Sequence, residues 1–282
     1  MDEERRRWIT RRTLFGAAAL LAGGAVAAAC ETGTASGSSN QSGTSLLDEI
    51  QKRGTLNVIT QLKYPPEMFR DPSNQPAGYD IDLLNMMAKD LNVKLNVLDQ
   101  DKFDSIVPAL LAKKGDMISV GLVNTPKRAL TMDFSKGYVP YGQVVIVPTS
   151  SSVQQPSDLN KSGVVITALL GSTAFFRSQI LFPKATVQGL EQDPALLAVA
   201  TGKSNACVVE TYLATPFVQQ HSNVKLLNDG KPIATEFGCY GIRQGDQRWL
   251  NWLDNWVRYN TDNQVMPGMY EKTIQQPWVQ PS

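Results

Sequence analysis

Segments with strand-like and helix-like patterns alternate along most of this sequence, and the alternation restricts the folds open to it. Residues 55–60, 93–98 and 116–120 have the pattern of strands, whereas residues 80–91 and 103–111 place apolar residues at helical spacing. Strands that alternate with helices form a largely parallel sheet whose faces the helices cover. The first half of the chain therefore predicts an α/β fold.

A second run of alternating segments follows a predicted strand at residues 143–147 and a Ser- and Gln-rich loop at residues 149–155. Its predicted strands are at residues 163–167, 206–209 and 237–242, and its predicted helices are between residues 171 and 183, at 194–201 and at 212–221. Beyond these, Trp249, Trp252 and Trp256 recur at helical spacing, which is typical of a helix packed on the core. The second half therefore predicts another α/β unit.

The charge and composition of the chain exclude several classes of function. Its net charge is +1, and the first 30 residues hold five of the 27 basic and three of the 26 acidic side chains. The rest of the chain therefore has 22 basic and 23 acidic side chains. A nucleic-acid-binding protein needs a basic surface that matches the phosphates, and this balance does not supply one. The single histidine, His221, and three cysteines disfavour a metal site or a His-dependent triad. We expect no metal, cofactor or nucleic-acid partner.

The first 30 residues have the features of an export signal. Residues 1–13 are rich in arginine, and residues 14–29 form an uncharged run that is shorter than the ~20 residues of a spanning helix. Residues 10–15, Thr-Arg-Arg-Thr-Leu-Phe, resemble a twin-arginine signal, and residues 27–30, Ala-Ala-Ala-Cys, resemble a lipobox. These features predict a signal peptide over residues 1–29; an ordinary membrane anchor with an incidental cysteine is the alternative.

Cys30 is the residue that a lipobox would lipidate, and the residues after it are mostly Gly, Ser, Thr and Asn. Such a composition cannot bury a core and is typical of a flexible tether, so we expect residues 30–45 to link a lipid anchor to the folded body. A two-chain lipid would hold the protein on the extracytoplasmic side of a membrane, in the periplasm or at the cell surface.

Five motifs occur in order between residues 50 and 278. They are Gly-Tyr-Asp-Ile-Asp-Leu at residues 78–83, Phe-Asp-Ser-Ile-Val-Pro-Ala-Leu at 103–110, Asn-Thr-Pro-Lys-Arg at 124–128 with Asp-Phe-Ser at 133–135, Gly-Ser-Thr at 171–173, and Gly-Met-Tyr-Glu-Lys at 268–272. Together they resemble the motifs of extracytoplasmic solute-binding proteins of the amino-acid type, bacterial family 3, which deliver solutes to ABC importers. Lys127 departs from this pattern, because the family commonly has Glu there.

The resemblance implies a periplasmic-binding-protein type 2 fold, an α/β architecture of two lobes that each have a mostly parallel sheet flanked by helices. The chain would cross between the lobes at two hinges, residues 138–142 and 234–238. Lobe 1 would combine residues 46–137 and 239–282, and lobe 2 would be residues 143–233. A ligand would bind between the lobes and be captured by closure about the hinge.

The resemblance also implies roles for residues that can hold a charged ligand. Arg128 lies where the family holds the ligand's carboxylate, which a guanidinium can bind through two parallel hydrogen bonds. Ser172 and Thr173 begin a helix, where N–H groups and hydroxyls would meet the same carboxylate; an ordinary N-cap is the alternative. Glu210 lies where the family usually has Asp for the ligand's ammonium group, and a solvated surface acid is its alternative.

Tyr64 and Phe103 match aromatic side chains that flank the ligand, although core packing is the alternative for both. Gln61 lies at a position that often tunes side-chain preference, or is simply solvated. Val123 stands where a Ser or Thr commonly helps to hold the ligand. Val123 and Glu210 thus depart from the family pattern, and the expected ligand is an amino acid or a similar small zwitterion whose identity the sequence leaves open.

The resemblance implies a monomeric binding protein without catalytic residues, whose partners are a small solute and the permease subunits of an ABC importer. Two rival functions remain: a dehydratase-like enzyme on the same fold that acts on a small carboxylate, and a sensory ligand-binding protein. The best-known dehydratases of this kind have an acid three residues beyond the position of Glu210, where this chain has Leu213. That difference favours a binding protein.

Cys207 and Cys239 fall in different lobes under this resemblance. A disulfide between them would restrict hinge motion, so we expect two buried thiols, with a disulfide as the alternative.

Overall fold

A nine-stranded sheet lies at the centre of the computed structural model, which describes residues 44–280. The predicted signal peptide, Cys30 and residues 30–43 of the predicted tether lie outside the described residues. In the part that is described, helices flank the sheet, so the α/β class is confirmed. No helix within residues 44–280 is long and apolar enough to cross a membrane.

The described chain has twelve strands and nine α-helices. The strands are β1 Thr55–Thr60, β2 Lys63–Tyr64, β3 Met68–Arg70, β4 Pro76–Ala77, β5 Lys94–Asp99, β6 Met117–Val123, β7 Met132–Pro148, β8 Val165–Leu169, β9 Thr186–Leu190, β10 Ala206–Glu210, β11 Val224–Leu226 and β12 Ala234–Arg243. The helices are α1 Leu46–Arg53, α2 Tyr79–Asp90, α3 Ile106–Leu111, α4 Pro126–Ala129, α5 Thr173–Leu181, α6 Gln192–Ala200, α7 Thr211–Gln220, α8 Gln247–Asp262 and α9 Val265–Ile274.

The strand order of the large sheet is β5-β1-β6-β12-β7-β10-β8-β9, with β11 also paired to β7. β1 is parallel to β5 and β6, and β8 is parallel to β9 and β10, as expected of two α/β units. β7 and β12 lie between these groups, antiparallel to each other and to their outer neighbours. The two units therefore share one continuous sheet. β2, β3 and β4 form a separate small sheet.

β7 is 17 residues long, whereas the sequence predicted a strand only at residues 143–147. Gly137, Pro140 and Gly142 lie within it, and Gly and Pro normally weaken or end a strand. Here the partner strand sustains the pairing, because β12 follows β7 from Met132 to Gln143 through two register shifts at its residues 238–241. Bulges of this kind let a strand bend without leaving the sheet.

The predicted helix after residue 248 is α8, and its tryptophans pack into the core as expected. Trp249 is fully buried and Trp256 is 6% exposed, while Trp252 packs partly buried against the same cluster. Cys207 and Cys239 are both buried and unpaired among the described residues, so the expectation of two buried thiols is confirmed.

Gly121 on β6 brings the strand into close contact with two tyrosines of β7. Its N–H donates to the hydroxyl of Tyr138 at 3.0 Å, and its φ is +58°. A Cβ at this position would lie 1.7 Å from the hydroxyl oxygen of Tyr141. Gly121 is therefore required both by backbone conformation and by the space that Tyr141 occupies.

Replacing Gly121 with Ala is expected to lower the free energy of unfolding by about 2–5 kcal/mol, the sum of left-handed strain and overpacking against Tyr141. Gly163→Ala is the matched control, because Gly163 has φ +82° and open space around its Cβ position, so strain alone should cost it about 1–2 kcal/mol. Urea unfolding of both variants measures the difference. Equal losses would show that Tyr141 does not restrict this position.

Candidate ligand-binding site

A cavity opens where the carboxyl ends of strands from both halves of the sheet meet. It is lined by the last residues of β6, β8 and β10, namely Val123, Leu169 and Glu210. Residues from the first turns of the helices that follow these strands also line it. Its volume is about 40 Å³, well below the ~300–1,000 Å³ of small-ligand sites, so a solute could occupy it only if its walls moved apart. Its lining residues are Tyr64, Phe103, Val120, Gly121, Val123, Arg128, Tyr141, Leu169, Ser172, Thr173, Gln192, Glu210, Tyr212 and Leu213.

Seven of the eight candidate residues from the sequence line this cavity, and Gln61 does not. The side chain of Gln61 is buried, accepts a hydrogen bond from the hydroxyl of Tyr64 and donates through Nε2 to the carbonyl of Asp101 at 2.9 Å. Gln61 therefore holds the ring of Tyr64 in the wall of the cavity.

Arg128 lies on α4, directly after β6, where Thr125 caps the helix by accepting from the Arg128 N–H at 3.3 Å. Its guanidinium donates through one terminal nitrogen to the carbonyl of Val123 at 2.8 Å and through the other to the carbonyl of Gly171 at 2.9 Å. Burial lowers the pKa of Arg128 to about 10, so the group stays charged at neutral pH. Two bonds orient this cation, and its other N–H donors remain for a ligand.

The first turn of α5 presents Ser172 and Thr173 to the cavity. Ser172 is the N-cap, since its hydroxyl oxygen accepts from the Phe175 N–H at 3.1 Å, and its hydroxyl hydrogen is left to donate elsewhere. The hydroxyl of Thr173 donates to Glu236 at 2.6 Å and accepts from Gln143 at 3.0 Å. Thr173 therefore offers a ligand its backbone N–H, because its hydroxyl already serves this network.

Glu210 is the last residue of β10 and directly precedes α7, so it lies at the carboxyl end of a strand. Desolvation by the surrounding protein raises the pKa of Glu210 to about 7, and the charge of Glu236 contributes to this increase. A hydrogen bond to the residue's own backbone acts in the opposite direction and lowers the pKa. The side chain nevertheless keeps some accessible surface inside the cavity. A cation that entered would favour the ionised form.

Three further polar residues line the cavity that the sequence analysis missed. Tyr141 and Tyr212 enclose the buried carboxyl of Glu67, to which the Tyr141 hydroxyl donates a hydrogen bond. Desolvation, reinforced by Asp80, raises the pKa of Glu67 well above its usual value. The third residue, Gln192, is the first of α6, directly after β9, and its place at a strand-to-helix junction is the signal that could have found it.

The sequence matches the profile of bacterial extracellular solute-binding proteins, family 3, over residues 56–276. The chain belongs to this family. Family membership places the solute-binding protein outside the cytoplasm.

This solute-binding protein is 30% identical over 204 residues to an L-arginine-binding protein of Pseudomonas aeruginosa, which covers 68% of this chain and 76% of the relative. It is also 30% identical over 212 residues to a probable histidine-binding protein of Neisseria gonorrhoeae, which covers 65% and 79%. A crystal structure of the ancestral amino-acid-binding protein AncCDT-1, described as a precursor of cyclohexadienyl dehydratase, superposes with a TM-score of 0.74 at 33% identity, covering 82% of this chain and all of that chain.

The raised pKa of Glu210 predicts a pH-dependent cost to the ligand-free protein. Because the folded state holds this proton up to about pH 7 and the unfolded chain releases it near pH 4.5, stability falls as pH rises between these values. Glu210→Gln removes the cost, so its gain in free energy of unfolding over the parent should be greater at pH 8 than at pH 5, by on the order of 2 kcal/mol.

Thermal and urea unfolding at both pH values test this prediction, with Asp193→Asn as a control at an exposed position. An advantage of Glu210→Gln that does not change between pH 5 and pH 8 would contradict it.

Proposed function

We propose that this solute-binding protein binds an α-amino acid, or a similar small zwitterion, in the cavity and delivers it to the permease of an ABC importer. The observation that carries the proposal is that Arg128 and Glu210 are the charged residues in the cavity's lining. One cation and one anion in a partly enclosed site complement a carboxylate and an ammonium group, which together leave the occupied cavity neutral. The N-terminal turn of α5 adds N–H donors for the carboxylate.

The walls of the cavity suit a small organic zwitterion. Tyr64 and Phe103 lie in the lining as flat apolar surfaces, and Leu169 and Leu213 add aliphatic surface. Such groups contribute binding area and exclude water, which strengthens the charge contacts. The names of the relatives, which are arginine-, histidine- and amino-acid-binding proteins, support the same class of ligand.

We further propose the two-lobe division, with lobe 1 at residues 46–137 and 239–282, lobe 2 at 143–233, and hinges at 138–142 and 234–238. The hinges run side by side in β7 and β12, where Ala234 pairs with Gln143 and Phe237 pairs with Pro140. Two adjacent strands form a hinge that can bend without loss of its pairing, so closure can occur about this axis.

We propose that the protein binds its ligand without catalysing a reaction. Leu213, one turn into α7 from Glu210, lines the cavity, and an alkyl side chain cannot serve as a general acid there. We propose that the protein acts as a monomer outside the cytoplasm, held to the membrane by a lipid on Cys30 after export by the twin-arginine route.

Arg128→Ala is expected to weaken amino-acid binding by about 2–5 kcal/mol, since a desolvated carboxylate loses its counter-charge. Arg128→Lys should recover only part of this, because an ammonium cannot form the paired hydrogen bonds. Calorimetric titration measures both, and Arg248→Ala is the control, because Arg248 pairs with Asp48 on an exposed surface. Parent-like affinity in both Arg128 variants would overturn the assignment of the carboxylate.

Cys30→Ser is expected to release the protein from membranes into the soluble fraction without a change in ligand affinity, because the lipid would be lost and the folded body kept. Cell fractionation with immunodetection measures the distribution. Changing Arg11 and Arg12 to Lys should block export by the twin-arginine route. Membrane retention of Cys30→Ser would refute the lipid anchor.

A further inference from the structure

The side chain of Gln192 lines the cavity with its amide group unused. The residue is 5% exposed, and neither Nε2 nor Oε1 has a hydrogen-bond partner among the described residues. It does not cap its own helix, because Glu191 is the N-cap of α6. Leaving a buried amide without hydrogen-bond partners costs free energy. A group that enters the cavity and pairs with both atoms would therefore be stabilised.

Most other polar side chains of the lining are already engaged or assigned, although the hydroxyl hydrogen of Ser172 is still left to donate. The hydroxyls of Tyr64, Tyr141 and Thr173 donate to Gln61, Glu67 and Glu236 in turn. Arg128 and Glu210 are the partners of the ligand's carboxylate and ammonium under the proposed function. Gln192 is therefore the lining side chain whose donor and acceptor are both left for the rest of the ligand.

Charge restricts what that remaining part of the ligand can be. With Arg128 and Glu210 each matched to one end of the amino acid, the lining holds no further charge to neutralise a third ionised group. Glu191 and Asp193 flank Gln192 in sequence and are not in the lining. Burial raises the pKa of Tyr64, which is in the lining, and the charges of these two acids help to raise it. An anionic ligand side chain would therefore be repelled, and a cationic one would leave the Nε2 of Gln192 without an acceptor.

We propose that Gln192 recognises the ligand's side chain through a pair of amide hydrogen bonds, so that the solute is an amino acid whose side chain ends in a neutral carboxamide or ureido group. This inference rests on the proposed function. Such a group has one donor and one acceptor side by side and pairs with Gln192 in either orientation of the amide. An apolar side chain would leave both Gln192 atoms unpaired, and a guanidinium would pair only the oxygen.

The test is calorimetric titration of the full chain with L-glutamine, L-asparagine and L-citrulline, and with L-norleucine, L-glutamate and L-arginine as comparisons. The parent protein should bind at least one of the first three about tenfold or more tightly than any of the comparisons. Gln192→Leu keeps the volume and removes both hydrogen-bonding atoms. It should weaken carboxamide or ureido binding about 10- to 100-fold and change norleucine binding by less than about threefold.

Gln192→Glu offers acceptors and a charge, and should shift the preference toward L-arginine. The inference is overturned if arginine binds the parent more tightly than every carboxamide or ureido ligand, or if Gln192→Leu weakens all ligands equally. In that case amino-acid binding that still depends on Arg128 leaves the proposed function standing. If no amino acid binds the parent, or if binding persists unchanged in Arg128→Ala and Glu210→Gln, the proposed function fails and this inference fails with it.

Discussion

The antiparallel pairing of β7 with β12 is the constraint on which the rest of the structure depends. β12 pairs with β6 along its other edge, and β7 pairs with β10 and β11. Both groups of parallel strands are thereby attached to one central ribbon. Because parallel strands present their carboxyl ends at a common edge, this attachment brings two such edges together, and the cavity forms between them.

The same ribbon also supports the walls of the cavity. Tyr141 on β7 lines the cavity and donates to Glu67, while Gln143 on β7 and Glu236 on β12 bind the hydroxyl of Thr173. The first turn of α5 is thus held by contacts to both central strands. Such bonds orient backbone N–H groups before a ligand arrives, which reduces the entropy that binding must overcome.

Burial shifts the pKa values of the two charged groups in the lining in the directions that favour their neutral forms. It lowers the pKa of Arg128 and raises that of Glu210, because each charge has been removed from water without full compensation. A zwitterion compensates both at once. The enclosure that makes the ligand-free site unfavourable for charges is also what makes their contacts with a ligand strong.

Local pattern was sufficient for much of the fold, and the resemblance to a known family was sufficient for most of the candidate site. Helical spacing predicted α2 and the tryptophan face of α8, and Gly171 followed by Ser172 predicted the start of α5. The family resemblance named seven residues that the structure brings to one cavity, four of which lie within the ordered motifs. The helices and the cap depend on residues close together in the chain, whose side-chain periodicity and capping chemistry are visible in sequence.

Only the tertiary structure decided the features that join distant residues. The full length of β7 depends on its pairing with β12, which overrides the breaking tendency of Gly137, Pro140 and Gly142. The contacts of Tyr141 with Glu67 and of Thr173 with Glu236 span 74 and 63 residues. The sequence by itself determined the α/β elements and the chemistry available at the strand ends, because those follow from local patterns. Which strand ends meet, and which side chains are left without partners there, follows from pairing between distant strands, which local periodicity does not encode.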